Sequence, residues 1–307
     1  MASFVTRRIL WIIPVLFVVS LITFTLMSLT PGGPWAREKE LPPQVVKQIQ
    51  AKYGLDKPVH EQYITWVTNF IQGDLGPSYR YTNRSVNDII EDGLPTTIHL
   101  GLMAFSLAVL IGIPLGIFAA LGHNKLPDYL ATGISVIGIS TPSFVLAIVL
   151  VVTFSVALGW FPATSNRWGD WNTWVLPTIA LAGYPIAQVA RYTRAAMLEV
   201  TRKDYVRTAH SKGIRSRAVV VRHMIRNALI PVVTILGPIL AFLVTGSFII
   251  ENFFGVPGIG DAYVTAIGGR DYTVIMATTM LYAFSVAFFN LAVDVGYAYI
   301  DPRIRYS

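Results

Sequence analysis

Long apolar stretches alternate with short polar ones along most of the chain. Ile9–Leu29, Leu100–Leu121, Tyr129–Trp160, Trp171–Ala190, Ala228–Ile250 and Tyr272–Val293 carry no Asp, Glu, Lys or Arg. A helix needs about 20 mostly apolar residues to cross the hydrocarbon of a bilayer. Inside lipid every backbone N–H and C=O must be bonded within the segment, so such runs are expected to be helices. The pattern predicts an all-α integral membrane protein with six transmembrane helices. The run from Tyr129 to Trp160 is long for one span, and tilt or an interfacial helix at its end takes up the excess.

The polar intervals carry their own signals. Residues 30–93 are the one large interval, a helical extracytoplasmic insertion between helices 1 and 2. Pro42-Pro43 opens a helix over VVKQIQAKYG, with Gly54 as its C-terminal cap. Pro58 starts an amphipathic helix, VHEQYITWVTNFIQG, closed by Gly73, and Ser85–Glu91 reads as a third short helix. The insertion is read both as a cap packed on the membrane part and as a platform for an external partner. Trp11, Trp160, Trp171, Trp174, Tyr272 and Tyr299 sit at run ends, as interfacial belts do.

Proline and glycine inside the runs predict breaks at Gly112–Gly116, at Ser140-Thr141-Pro142-Ser143, at Pro177 with Gly183-Tyr184-Pro185, and at Gly237-Pro238. Breaks free backbone groups to line a cavity. Kinked helix packing is the plainer reading of the same residues. Ser140, Thr141 and Asn290 are the candidate residues of a polar pathway. Gly255-Val256-Pro257-Gly258-Ile259-Gly260 reads as a tight re-entry turn.

Charge then sets orientation. The net charge is +7, which raises the question of nucleic acid. The basic residues instead fall by side. Arg7 and Arg8 precede helix 1, Lys125 follows helix 2, a basic insert follows helix 4, and Arg303 and Arg305 follow helix 6. The opposite short loops hold Arg167 and Arg270. Lys and Arg concentrate in cytoplasmic loops, so both termini and the basic insert are predicted to be cytoplasmic. Helix 1 reads as an uncleaved anchor.

Much chemistry is excluded. The chain has no cysteine, hence no disulfide or thiolate site. It has no P-loop and no HExxH, and His60, His99, His123, His210 and His223 show no metal-ligand spacing. Asp294, near Asn290 at the inner end of helix 6, reads as an interfacial carboxylate. An ion relay needs further carboxylates, and the other apolar runs hold none. An ion-coupled secondary transporter or an intramembrane enzyme is the alternative in another class.

The basic insert is the most informative segment. Between Glu199 and Asn227 it carries Arg202, Lys203, Arg207, Lys212, Arg215, Arg217, Arg222 and Arg226 against two acids, Glu199 and Asp204. Lipid headgroups, nucleic acid and a protein partner are its three readings. Tyr205, Ala209 and Gly213 share one helical stripe, and Asp204 and Arg207 stand at i, i+3. Gly213 offers a turn before a second basic helix, Ser216 to Asn227. That spacing favours a short helix docked into a protein partner.

This segment resembles the EAA loop of ABC-importer permease subunits, Glu-Ala-Ala-x-x-x-Gly, through Arg207, Thr208, Ala209 and Gly213. Arg207 stands where the general pattern has Glu, and Thr208 where it has Ala. Asp204–Gly213 and Arg222–Thr234 are similar to the dipeptide/oligopeptide/nickel branch. So are Leu29–Gly32, Tyr53–Pro58, Gly73–Gly76, Ile139–Phe144, Glu251–Gly260 and Asp301–Arg305. The resemblance covers nearly the whole chain in order.

It implies a type I ABC importer permease fold with no catalysis in this chain. A second homologous permease subunit would complete the pathway, and two cytoplasmic ATPase subunits would bind ATP and Mg. An extracytoplasmic substrate-binding protein would deliver peptides, with nickel, glutathione or oligosaccharides as other cargo of the branch. The ATPase-coupling residues it implies are Asp204, Arg207, Thr208, Ala209, Lys212, Gly213 and Ile214. The chain then divides into 1–29 (N-terminus and helix 1), 30–93 (insertion), 94–300 (helices 2–6, with a coupling loop at 194–227) and 301–307 (tail). Its place is a bacterial or archaeal plasma membrane, in contact with lipid and with no nucleic-acid partner.

Overall fold

The computed structural model describes residues 2–31, 50, 54–81, 83–164 and 168–300, with side chains omitted at 2–5, 293, 294 and 296–300. Most of the expected helix after Pro42, the Asp294 and Tyr299 side chains and the tail 301–307 lie outside the described residues. Among the described residues the regular structure is helical, apart from an isolated bridge between Pro77 and Ser85. The chain divides into two compact units. One holds Met1–Thr96 and Pro257–Leu291, the other Thr97–Val256 and the C-terminal end of the last helix.

In the first unit, α1 (Ala2–Ser28) is a long apolar helix and α2 (Val59–Ile71) begins straight after Pro58. Tyr63 of α2 bonds the buried Ser20 hydroxyl at 2.8 Å and lies between Phe17 and Phe24. Gly73 adopts a positive φ of 81° just past α2, as the expected helix end requires, and Gly54 adopts φ 66°. α11 (Ile259–Gly269) and α12 (Tyr272–Ile300) complete the unit. Buried Asp271 orders the turn before α12. It accepts from Ser78 Oγ, from the Arg80 N–H at 3.2 Å and from Thr273 Oγ1 at 2.9 Å.

A third short helix at Ser85–Glu91 is not a separate element. It is the start of α3 (Val86–Leu121), a 36-residue helix. Ser85 and Asp88 form a reciprocal cap: Asp88 Oδ2 accepts the Ser85 N–H at 2.9 Å, and Ser85 Oγ accepts the Asp88 N–H at 3.1 Å. Pro95 removes one donor from the helical ladder and does not stop the helix.

In the second unit α4 (Leu126–Ser140) and α5 (Ser143–Leu150) occupy the single long run expected from Tyr129. They are bent by 108° at Thr141-Pro142. Thr141 is extended (φ −88°, ψ 119°), because the residue before proline is driven out of the α region. α5 continues as a π-helical segment over Val151–Ala157. A 3₁₀ turn, Trp171–Trp174, leads into α6 (Val175–Thr201). Trp171 and Trp160 are exposed as a belt requires. Trp174 is instead buried, its indole N–H donating to Trp168 O at 2.8 Å.

α6 is the axis of this unit. Its Leu176, Ala180, Ala182, Val189, Ala190 and Met197 are all buried. Only one of the four expected breaks is a break. Gly112–Gly116, Gly183–Pro185 and Gly237-Pro238 lie inside the continuous α3, α6 and α9 (Arg226–Thr245). The glycines serve close approach instead. A Cβ on Gly112 would lie 2.9 Å from Ile186 O, and one on Gly116 2.5 Å from Ala190 O. Small residues let helices pack backbone to backbone where lipid offers no hydrophobic gain for association.

Gly101 makes the same approach to α9, with a Cβ meeting the Leu243 carbonyl and lying 2.9 Å from Val244 Cα. Gly101→Ala is therefore expected to cost about 1–3 kcal/mol through overpacking. The check is thermal unfolding in detergent against Gly133→Ala, whose Cβ meets nothing within 4 Å. A melting temperature as high as that control would refute the packing account.

The expected span Ala228–Ile250 ends early, at Thr245, where Gly246 turns at φ 104° before α10 (Phe248–Phe254). It also begins early. α8 (Ser216–Val219), a π segment (Val220–Ile225) and α9 follow without a break. The expected second basic helix is thus the N-terminal part of this stretch. Among the described residues, four helical stretches are long and apolar enough to cross a membrane: Thr6–Ser28, Val86–Leu121, Ser216–Thr245 and Tyr272–Ala292. The bent α4–α5 pair makes a fifth. α6, the remaining expected span and the fourth in chain order, carries Gln188, Arg191 and Arg194, which lower its hydropathy.

Candidate functional site

The basic insert contains α7 (Asp204–Ser211). Its buried side chains are Val206 and Ala209, at i, i+3, and both join the core of the second unit. Tyr205, expected on the same stripe as Ala209, is 40% exposed instead. The anchor is therefore Val206, and its signal was an apolar residue three before Ala209 on one face of a helix. Asp204, Arg207, Thr208 and Lys212 are exposed. α7 is held by one narrow face, and its cationic face points away from its own core.

A specific backbone device ends this helix. Gly213 adopts φ 74°. Its N–H donates to His210 O at 2.9 Å, and the Ile214 N–H donates to Ala209 O at 3.3 Å. Paired 5→2 and 6→1 bonds around a left-handed residue form a Schellman motif. Half-buried Ile214 then packs against the cluster that holds Ala209 and Val206. The motif reverses the chain after two turns of helix and returns it to the core. Gly255 at φ 66° closes α10 with the same bond pair, and of the turn expected over Gly255–Gly260 the last two residues, Ile259 and Gly260, already belong to α11.

Charge pairs on α7 are weak. Arg207 and Asp204 approach to 3.8 Å with side chains 80% and 98% exposed. Such solvated pairs contribute about 0–1 kcal/mol. Lys203 lies 2.9 Å from Glu199, whose carboxylate pushes the ammonium above its ordinary value. Thr208 Oγ1 turns back on Asp204 O at 3.0 Å. The outward cations are consequently available to a partner surface.

The sequence pattern does not reveal three buried carboxylates, each adjacent to an apolar run: Asp271, described above, and Asp128 and Glu251 in the second unit. Asp128, in the first turn of α4, accepts from Arg194 Nε and from Arg194 Nη2 at 2.8 Å. The Asn124 N–H at 2.9 Å and His123 Nδ1 at 3.2 Å add to it. This fork ties the α3–α4 turn to α6 near the head of the basic insert. Glu251, wholly buried, accepts from Thr97 Oγ1 at 2.9 Å and from the Ser247 N–H at 3.0 Å. It joins α10 to α3. Both carboxylates are engaged in holding helices together.

Of the pathway candidates, Ser140 is exposed and Thr141 half-buried at the α4–α5 bend. The bend lies in the second unit. Asn290 belongs to the first unit and is exposed on α12.

The helical fold matches solved ABC transporters. A chain of the inward-facing MetNI methionine ABC transporter superposes with a TM-score of 0.58 at 18% identity, over 69% of this chain and 96% of that one. The protein is thus a membrane chain with an ABC-transporter fold. It belongs to the family of binding-protein-dependent transport system inner membrane components, whose main region matches residues 112–306 and whose N-terminal region matches 1–101. The oligopeptide transport system permease protein OppB of Haemophilus influenzae is 40% identical over 306 residues, 100% of both chains. The dipeptide transport system permease protein DppB of Bacillus subtilis is 42% identical over 305 residues, 99% of this chain and 98% of that one.

Proposed function

We propose that this chain is one permease subunit of an ATP-driven importer for short peptides. The observation that carries the reading is end-to-end identity of 40–42% with permeases named for oligopeptides and dipeptides. A second, homologous permease lines the other half of the pathway. An extracytoplasmic binding protein delivers the peptide, and two cytoplasmic ATPase subunits bind and hydrolyse ATP with Mg. The chain crosses the plasma membrane six times, α6 being the span whose Arg194 is paired with Asp128 within the second unit. Both termini and α7 face the cytoplasm, and the insertion at 30–93 faces outward.

In this reading α7 seats in a groove of the ATPase. Ala209 and Ile214 hold the element to its own core, Gly213 sets its turn, and Asp204, Arg207, Thr208 and Lys212 meet the partner. The unbroken run from Ser216 into α9 supports force transfer. A push on α7 reaches the membrane through the short Gly213–Arg215 link and a continuous helix. Ser140, Thr141 and Asn290 remain the pathway residues proposed for peptide polar groups.

The test is uptake by the full complex in proteoliposomes. ATP with the binding protein should drive accumulation of labelled di- to pentapeptides, and an ion gradient alone should not. Gradient-driven uptake by this chain alone would refute the reading. Uptake of nickel, glutathione or oligosaccharide in place of peptides would change the cargo and leave the importer intact.

A further inference from the structure

The first unit contains a cavity of about 510 Å³ that the transport cycle leaves without a role. That size falls in the range of small-molecule sites. The last turns of α1 contribute Phe24 and Met27, α2 contributes Trp66, and the first turns of α12 contribute Tyr272 and Met276. The Trp66 indole N–H and the Tyr272 hydroxyl are both buried without a hydrogen-bond partner. A buried donor left unmet is disfavoured, so two on one cavity mark a place for an acceptor-rich occupant. Lys57 and Asp74 add one charge of each sign to the wall. Asp74 commits Oδ1 to the Gly76 N–H at 2.9 Å.

The setting selects the occupant. α1 ends and α12 begins at this cavity, and both are stretches able to cross a membrane. Span ends lie at the level of lipid headgroups. α2 has no buried residue and exposes Val59, Ile64 and Ile71. Its Tyr63 reaches Ser20, which lies eight residues, or about 12 Å, before the end of α1. An amphipathic helix set so far along a span lies in the interface. Ile22 and Leu26 of α1, and Leu29 just after it, are exposed too and offer a lane for acyl chains.

We propose that this cavity holds a phospholipid with a zwitterionic aminoethyl-phosphate head. Its phosphate oxygens accept from Trp66 Nε1, the Tyr272 hydroxyl and the Lys57 ammonium, its amine donates to Asp74, and its tails run beside Phe24, Met27 and Met276. The proposal rests on α1 and α12 spanning the membrane and is independent of the cargo.

The experiment is native mass spectrometry of the assembled transporter, titrated with phosphatidylethanolamine, phosphatidylcholine and phosphatidylglycerol of matched chains. Phosphatidylethanolamine should bind at least tenfold more tightly than the other two. Trp66→Phe with Tyr272→Phe keeps the rings, removes both donors and should erase that preference. If the pair fails to assemble, Asp74→Asn decides, and its preference over phosphatidylglycerol must shrink. Equal binding of the three lipids, or an unchanged preference in the variants, overturns the proposal. Displacement by free phosphoethanolamine or a dipeptide at the lipid's own concentration also overturns it, because the site would then take a soluble zwitterion. Peptide uptake, measured in parallel, reports separately on the importer reading.

Discussion

Gly213→Trp is expected to abolish stimulation of ATPase activity by loaded binding protein, with the chain still inserted and the complex still assembled. Two effects combine. At φ 74° the backbone is left-handed, which costs an L-residue with a Cβ roughly 1–2 kcal/mol. A Cβ here meets nothing within 4 Å, so the added indole projects away from this chain's own core. It would then lie where the proposed ATPase groove closes on α7. Three substitutions separate the effects. Gly213→Asn tolerates the left-handed turn and should stay near wild type. Gly213→Ala keeps the surface small and should lose stimulation only several-fold. Only Gly213→Trp should eliminate it. If alanine and tryptophan reduce stimulation equally, the turn matters but the groove does not. If neither reduces it, α7 is not the coupling element.

Arg194→Met is expected to be strongly destabilising. It would strand Asp128, only 3% exposed, with the Asn124 N–H, His123 and Thr132 as its remaining neighbours. Removing one partner of a buried pair costs about 3–5 kcal/mol, because the surviving charge stays desolvated. The purified complex should unfold at a clearly lower temperature and inactivate faster. Adding Asp128→Asn should restore much of the loss, since no uncompensated charge then remains. Arg194→Lys should fall between, because an ammonium cannot reproduce the two parallel bonds of a guanidinium. Equal melting temperatures for the single and double variants would show that packing, not charge, sets the cost.

The apolar runs foretold where most long helices lie, because lipid leaves a charge-free stretch of that length few alternatives. Local chemistry was legible as well. Pro58, the Ser85 start, the Thr141-Pro142 bend and the turns at Gly213 and Gly255 each depend on residues within five positions. The misreadings needed a partner from elsewhere in the sequence. Gly112 and Gly116 read as breaks because the α6 backbone they accommodate is about 75 residues away, a distance no local pattern encodes. Asp128 and Glu251 were passed over because each falls just outside a charge-free run. What makes them tolerable inside is Arg194 for the one and Thr97 for the other. For α7 the pattern gave the helix and its turn, yet favoured Tyr205 over Val206. A stripe through Gly213 ignores that the left-handed turn rotates the next residues off the helical face.

The Asp128 fork also bears on how the chain is made. Its two halves are 66 residues apart. At about 5–20 residues per second of synthesis, Arg194 emerges about 3–13 s after the carboxylate it will pair with. Over that interval α4 enters its surroundings with an acid lacking its cation. The donors already present are the Asn124 N–H and His123, both within five residues. The short turn before α4 therefore holds the only partners of that carboxylate, among those described, that precede it in the chain.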